Sequence, residues 1–209
     1  MYNMILIKKN RIPSSLVEYK RTINASFDNL PREVKDRLRT SLLKEQGYIC
    51  AYCMKKLEDD SSKVKIEHYV ARNEENELEY KNLLAVCKGN EGESFERQTC
   101  DTRKGNREIK INPQANSDIL TISYTSNGEI KSSNSDYQKD FDDTLNLNDT
   151  FGLVEARKEA LNSLKRNLSK SKTHLTEDTI RRIYTRYLEA EIKESYVGIL
   201  LWYLQKKMK

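Results

Sequence analysis

Apolar residues recur along the chain with two different periods, and the changes of period divide it. Pro31 stands where the first turn of a helix would begin, a position at which its missing N–H costs nothing. Val34, Leu38, Leu42 and Leu43 then share one helical face, until Gly47 ends the helix. Residues 64–69 alternate and are partly β-branched, which predicts a strand. Residues 78–87 contain a short helical turn, and residues 101–105 open another helix. Residues 119–124 are strand-like, with Asn127-Gly128 as a two-residue turn behind them. Leu153, Ala160, Leu161, Leu164 and Leu168 mark a further helix. A last stripe follows Thr176, whose hydroxyl can cap a helix with Glu177 and Asp178 at its positive end. It runs from Ile180 through Tyr187, Ile192 and Tyr196 to Tyr203, and reads as one long helix packed on the preceding one. Its end, around Trp202 and Tyr203, fits packing or docking to another subunit. Upstream, residues 1–30 are irregular, with a short strand expected at residues 5–8 and a turn or helix start at Pro13.

Composition sharpens this picture. Charged residues make up 33% of the 209 residues and hydrophobic ones 37%. Several small units, some needing staples or partners, are expected rather than one large core. Four segments follow: a basic N-terminal segment at 1–40 with a helix and a possible partner-docking role, a cysteine-rich module at 41–115, a polar linker with a hairpin at 116–150, and a helical region at 151–209. The Asp-rich stretch at 136–143 should be exposed. No apolar run approaches the roughly 20 residues of a membrane span. The first residues carry their charges after a short apolar stretch, unlike a signal peptide, so a cytoplasmic location is expected. The net charge of +5 is uneven: residues 1–40 hold 9 basic and 4 acidic side chains, and residues 155–209 hold 13 and 7. Basic flanks suit a polyanion such as a nucleic acid, although charged helices are commonly just solvated faces.

All four cysteines fall in the second segment, as Cys50-x2-Cys53, Cys87 and Cys100. A CxxC turn aims two sulfurs at one point, and two further thiolates complete a tetrahedron with Zn–S of about 2.3 Å. Disulfides do not suit the expected compartment. Buried structural cysteines are the competing reading; zinc would give a small, charged module folding energy it otherwise lacks. Between the cysteines stands Glu67-His68, an acid and a histidine on the expected strand. Neighbours on a strand point to opposite faces, so both reach one site only if the strand ends or bulges there. Asp101 directly follows Cys100, which would fix its position. Arg103 and Lys104 add positive charge beside it, with Lys104 a candidate phosphate contact.

The order CxxC, Glu67-His68, Asn82-Leu83-Leu84, Cys87 and Cys100-Asp101-x-x-Lys104-Gly105 resembles the HNH (ββα-metal) endonucleases. Ile12-Pro13-Ser14-Ser15-Leu16, residues 38–50 and Leu145-Asn146-Leu147-Asn148 are similar to one branch, the PtuB-type HNH subunit of Septu anti-phage systems and its retron-associated relatives. The likeness spans roughly residues 3–165. It implies an α+β fold: a ββα-metal HNH module with a structural four-cysteine zinc site, flanked by an N-terminal segment and C-terminal helices. It implies His68 as general base, Glu67 and Asp101 as ligands of one catalytic Mg2+ or Mn2+, and Asn82 as a loop brace. Cys50, Cys53, Cys87 and Cys100 match the structural zinc ligands. It further implies DNA hydrolysis beside an ATPase subunit of the PtuA type. Two positions depart from the pattern: Val70-Ala71 where many relatives carry proline, and Thr99 where many carry histidine. An RNase acting on structured RNA such as tRNA, a zinc-knotted binding or scaffold subunit without catalysis, and a plain structural domain are the alternatives.

Overall fold

A computed structural model describes residues 3–170 and 176–208. Two helices open the chain, α1 (Ser14–Tyr19) and α2 (Arg32–Gln46). Pro31 occupies the N-cap of α2, and Gly47 closes it in the left-handed conformation, φ +66°. Leu38, Leu42 and Leu43 of α2 are fully buried. Strands β1 (Val64–His68) and β2 (Leu83–Cys87) pair antiparallel, Val64 opposite Cys87 and His68 opposite Leu83. Buried Gln46 ties α2 to this hairpin: its amide donates to the Ile49 carbonyl (2.9 Å) and the Ala85 carbonyl (2.7 Å) and accepts from Ala85 N–H (2.8 Å). Helix α3 (Cys100–Lys104) packs on β2. A second hairpin follows α4 (Asn116–Ile119), built from β3 (Ile122–Tyr124) and β4 (Ile130–Ser132). Then come α5 (Ser135–Lys139), α6 (Leu153–Lys170), α7 (Glu177–Glu189) and α8 (Val197–Lys207). The result is mixed α and β with two small antiparallel sheets. Among the described residues no helix is long and apolar enough to cross a membrane.

Several expectations are corrected by contacts from distant parts of the chain. Residues 5–8 form no strand; Ile5 and Ile7 are buried, and Ile7 N–H donates to the Pro113 carbonyl (3.0 Å). The Asn127-Gly128 turn spans three residues, 126–128, closed by Thr125 N–H on the Glu129 carbonyl (3.0 Å). Asp140 in the acidic stretch is buried, its carboxylate accepting from Ile111 N–H (2.9 Å) and Lys110 N–H. Thr176 caps α7 through Thr179 N–H (3.2 Å), but the stripe after it is two helices. Residues 190–196 break it and cross the cysteine turn, with Lys193 N–H on the Gly47 carbonyl (2.9 Å) and Tyr196 N–H on the Met54 carbonyl (2.7 Å). Ile192 consequently points to solvent. Trp202 is buried and meets the Tyr124 ring edge-on, which makes that end of α8 packing.

The buried apolar residues form one contiguous cluster from Met4 to Met208, where composition predicts several small units. Helix α8 lies inside it, with Val197, Ile199, Leu201 and Leu204 fully buried. Gly198 sits at the closest approach. A Cβ there would stand 2.4 Å from the Asn3 carbonyl oxygen and 2.5 Å from both Met54 Cε and the Tyr124 hydroxyl. Glycine to alanine inside a helix ordinarily adds about 1 kcal/mol of stability. Here the sign reverses: Gly198→Ala is expected to cost about 1–3 kcal/mol by overpacking. A lowered urea midpoint at unchanged slope is the readout, and a raised midpoint would refute the close approach.

Candidate functional site

The four cysteines come from three places: a turn behind α2, the end of β2 and the start of α3. Their sulfur atoms all lie within 4.8 Å of one another, and all four residues are buried. Cys50 and Cys100 sulfurs are 3.9 Å apart, Cys53 and Cys87 sulfurs 3.8 Å. A disulfide would bring them to about 2 Å; a tetrahedral zinc at about 2.3 Å from each sulfur requires edges of about 3.8 Å. The four thiols also shift one another's ionisation. Burial raises the Cys50 pKa, yet hydrogen bonds from Cys100, Cys53 and Cys87 outweigh it and hold this thiol well below its ordinary value. Cys100 is pushed up by Cys50, Cys53 and Cys87; Cys53 is pulled down by Cys100 but pushed further up by Cys50 and Cys87. Thus the first charge suppresses the others, and a dication is what lets all four ionise together. The donor set therefore fits one zinc ion. The insert at 88–99 loops away, its neck closed by Thr99 N–H on the Gly89 carbonyl (2.9 Å).

The hairpin and α3 bring the other expected residues to one cleft of about 300 Å³, lined by Phe27, Lys65, Glu67, His68, Asp101 and Lys104 among others. Glu67 and His68 both reach it because β1 ends at His68. Past that point the chain is redirected by Asn82. Its carbonyl accepts Tyr69 N–H (2.8 Å), and its side chain bonds Val70 at both ends, accepting the N–H (2.7 Å) and donating to the carbonyl (3.1 Å).

The carboxyl groups of Glu67 and Asp101 stand close enough to shift each other's titration. Burial, then Asp101, pushes Glu67 up to about 8, against the pull of Lys104. Asp101 stays below its ordinary value: burial raises it, but Glu67 and Lys65 outweigh that. Lys65 Nζ stands 3.2 Å from Asp101 Oδ2, and Lys104 Nζ 2.8 Å from Glu67 Oε1. Two carboxylates at the wall of an open cleft are hard oxygen donors that suit Mg2+ or Mn2+.

His68 Nε2 lies 2.9 Å from the Glu77 carbonyl oxygen. A carbonyl only accepts, so Nε2 carries the hydrogen and the neutral ring keeps its lone pair on Nδ1. Burial lowers the His68 pKa below its ordinary value. Phe27 packs edge-on against the ring, centroids 4.5 Å apart. Lys104, expected at phosphate, is enclosed instead. Its ammonium faces Glu67 and the carbonyls of His68 and Gly105 (3.3 Å each), so contact with a phosphate requires giving up one of three bonds.

Sequence reasoning misses three supports. Tyr52, inside the CxxC turn, donates to Glu67 Oε1 (3.2 Å). Lys65 is findable, since residues two apart on a strand share a face. The Glu77 carbonyl carries no side-chain signal at all. A larger groove of about 620 Å³, between Lys55, Lys63, Asn90 and Gly152, gathers no comparable acid and histidine pair.

No protein-family model matches the chain. It is similar to an Escherichia coli protein whose name reads "Retron Ec83 putative HNH endonuclease", at 35% identity over 35% of this chain and 33% of that protein. It is also similar to the Septu protein PtuB of Bacillus thuringiensis, at 26% identity over 57% of this chain and 44% of that protein. The matches thus span less than half the length of either relative. Both likenesses are those of an HNH-type, PtuB-like protein, in line with the motifs.

Proposed function

We propose that this PtuB-like chain is a metal-dependent HNH nuclease that hydrolyses phosphodiester bonds of DNA, as the effector of an anti-phage complex with an ATPase subunit of the PtuA type. The observation that carries the reading is the arrival of Glu67, His68 and Asp101, from β1 and α3, at one open cleft beside the thiol cluster. The two paired strands followed by a short helix support the ββα-metal assignment. The partner is implied by the resemblance alone.

Hydrolysis needs a deprotonated water, relief of charge on phosphate oxygens and help for the leaving 3′ oxygen. Nδ1 of His68 takes the proton from water as its oxygen attacks phosphorus. The Glu77 carbonyl fixes the ring while it becomes charged. Glu67 and Asp101 would hold the divalent ion, which when bound supplies positive charge to the phosphate and the leaving oxygen. The P–O3′ bond breaks, and O3′ takes its proton from solvent. Asn82 holds the backbone that aims His68. A metal-and-base site does not itself reject a 2′-OH, so structured RNA such as tRNA stands as the second substrate. A scaffold without catalysis accounts for the thiols and the basic flanks but leaves the cleft triad without a purpose.

The test is cleavage of plasmid DNA and of tRNA by the chain, alone and with its ATPase subunit, with and without Mg2+ or Mn2+. Metal-dependent cutting is expected. Binding should weaken steeply with salt, because phosphate contacts dominate it. No cutting of either substrate under any combination would leave the scaffold reading standing.

A further inference from the structure

We propose that Phe95, backed by Arg103 and Arg107, is a stacking site for an unpaired base of a single-stranded nucleic acid segment. The inference rests on the nucleic-acid reading above. Phe95 lies in the insert between the third and fourth cysteines, and it is 52% exposed. The insert holds it there by its own bonding. Asn90 donates to the Arg97 carbonyl (2.8 Å), Gln98 to the Glu93 carbonyl (2.9 Å), and Asn146 to the Glu96 and Gln98 carbonyls (2.9 and 3.0 Å). A large apolar ring braced into solvent has its exposure built in.

The ring's surroundings specify the occupant. The Arg103 guanidinium carbon sits 3.6 Å from the ring centroid and Arg107 5.8 Å from it. Both guanidiniums are pinned by backbone carbonyls: Arg103 by Asp143 and Phe95, Arg107 by Lys104 and Thr144. Neither forms an ion pair with a carboxylate among the described residues. Glu96 next door turns its carboxylate to its own N–H and to Ser94. The surface therefore presents a π face beside two guanidiniums that no carboxylate pairs directly among the described residues, with Glu96 near enough to feel the charge of Arg103. That combination matches a base and its phosphates, and poorly matches an apolar protein face. Phe151, 72% exposed under the Arg97 guanidinium at 5.4 Å, repeats the ring–guanidinium contact, there with Arg97 also ion-paired to Glu93 (3.4 Å). Paired bases hide their π faces in the duplex, so the site selects unpaired strands. Arg103 stands two residues after Asp101 on α3, and Arg107 follows the cleft-lining Gly105 and Asn106. A strand stacked on Phe95 thereby lies against the helix that carries Asp101.

The test measures binding of a labelled single-stranded oligonucleotide and of a hairpin duplex, in DNA and RNA forms, in a His68→Ala background that prevents cutting. Phe95→Ala should weaken single-strand binding about tenfold and leave duplex binding within about twofold; Phe95→Tyr should retain both. Equal losses on both substrates, or no loss, overturn the stacking site while the nucleic-acid reading stands. Absence of binding to any strand by the parent protein at low salt overturns both.

Discussion

Replacing His68 by alanine is expected to slow cleavage by roughly a hundred- to ten-thousandfold, the usual contribution of a positioned base, with fold and zinc content unchanged. The ring supplies the one group in the cleft whose lone pair is neutral at physiological pH and fixed in direction. Its Nε2 hydrogen is committed to Glu77, which leaves Nδ1 as the ring's acceptor. Only the unprotonated ring accepts a proton, and burial favours that form by lowering the pKa. With the divalent ion saturating, so that Glu67 (about 8 in the free chain) stays ionised, the rate should therefore rise with pH through a value below the ordinary histidine range of about 6.5 and be level by neutrality. Single-turnover cleavage across pH, with zinc content and melting temperature as controls, is the measurement. A fully active alanine variant would remove His68 from the mechanism, and a rise centred above about 6.5 would refute its neutral state.

Stripping the zinc that the four thiols would hold, by chelation or by Cys100→Ser, should strongly destabilise the protein and lower its melting temperature. Structural zinc contributes an apparent ~10–16 kcal/mol in small metal-folded units, whereas whole domains retain only about 5–15 kcal/mol. Cys100 is the most consequential ligand. It opens α3, its N–H donates to the Leu145 carbonyl (2.8 Å), and the next residue is Asp101. Loss of its sulfur thus frees a carboxylate of the cleft together with the metal. Zinc content measured beside a circular dichroism melt, before and after chelator, decides this. A zinc-free protein that melts unchanged would show that packing alone holds the four thiols.

The parts of the fold legible in the sequence are those set by local pattern. Helix α2 follows from its apolar face and Gly47, β1 from alternation, and the α7 cap from Thr176. The break at residues 190–196 is not legible, because its causes are the carbonyls of Gly47 and Met54, far upstream in the chain. Ile7 illustrates the same limit: it is extended and buried, yet its backbone meets a carbonyl at Pro113 rather than a partner strand. Asp140 reads as surface by composition, though two backbone N–H groups sequester its carboxylate. In the site, the meeting of Glu67, His68 and Asp101 is legible as a motif. Lys104 misleads for a physical reason: a lysine between charged neighbours reads as exposed until a carboxylate is found 2.8 Å from it.

Lys193 and Tyr196 grip the chain at Gly47 and Met54, on either side of Cys50 and Cys53. Gly198 then sets the following helix against the backbone of Asn3. A recombination event that carried off the hairpin and its cysteines alone would leave behind the backbone groups that pin the metal turn. What inheritance can transfer intact is therefore the cysteine turn together with its C-terminal clasp.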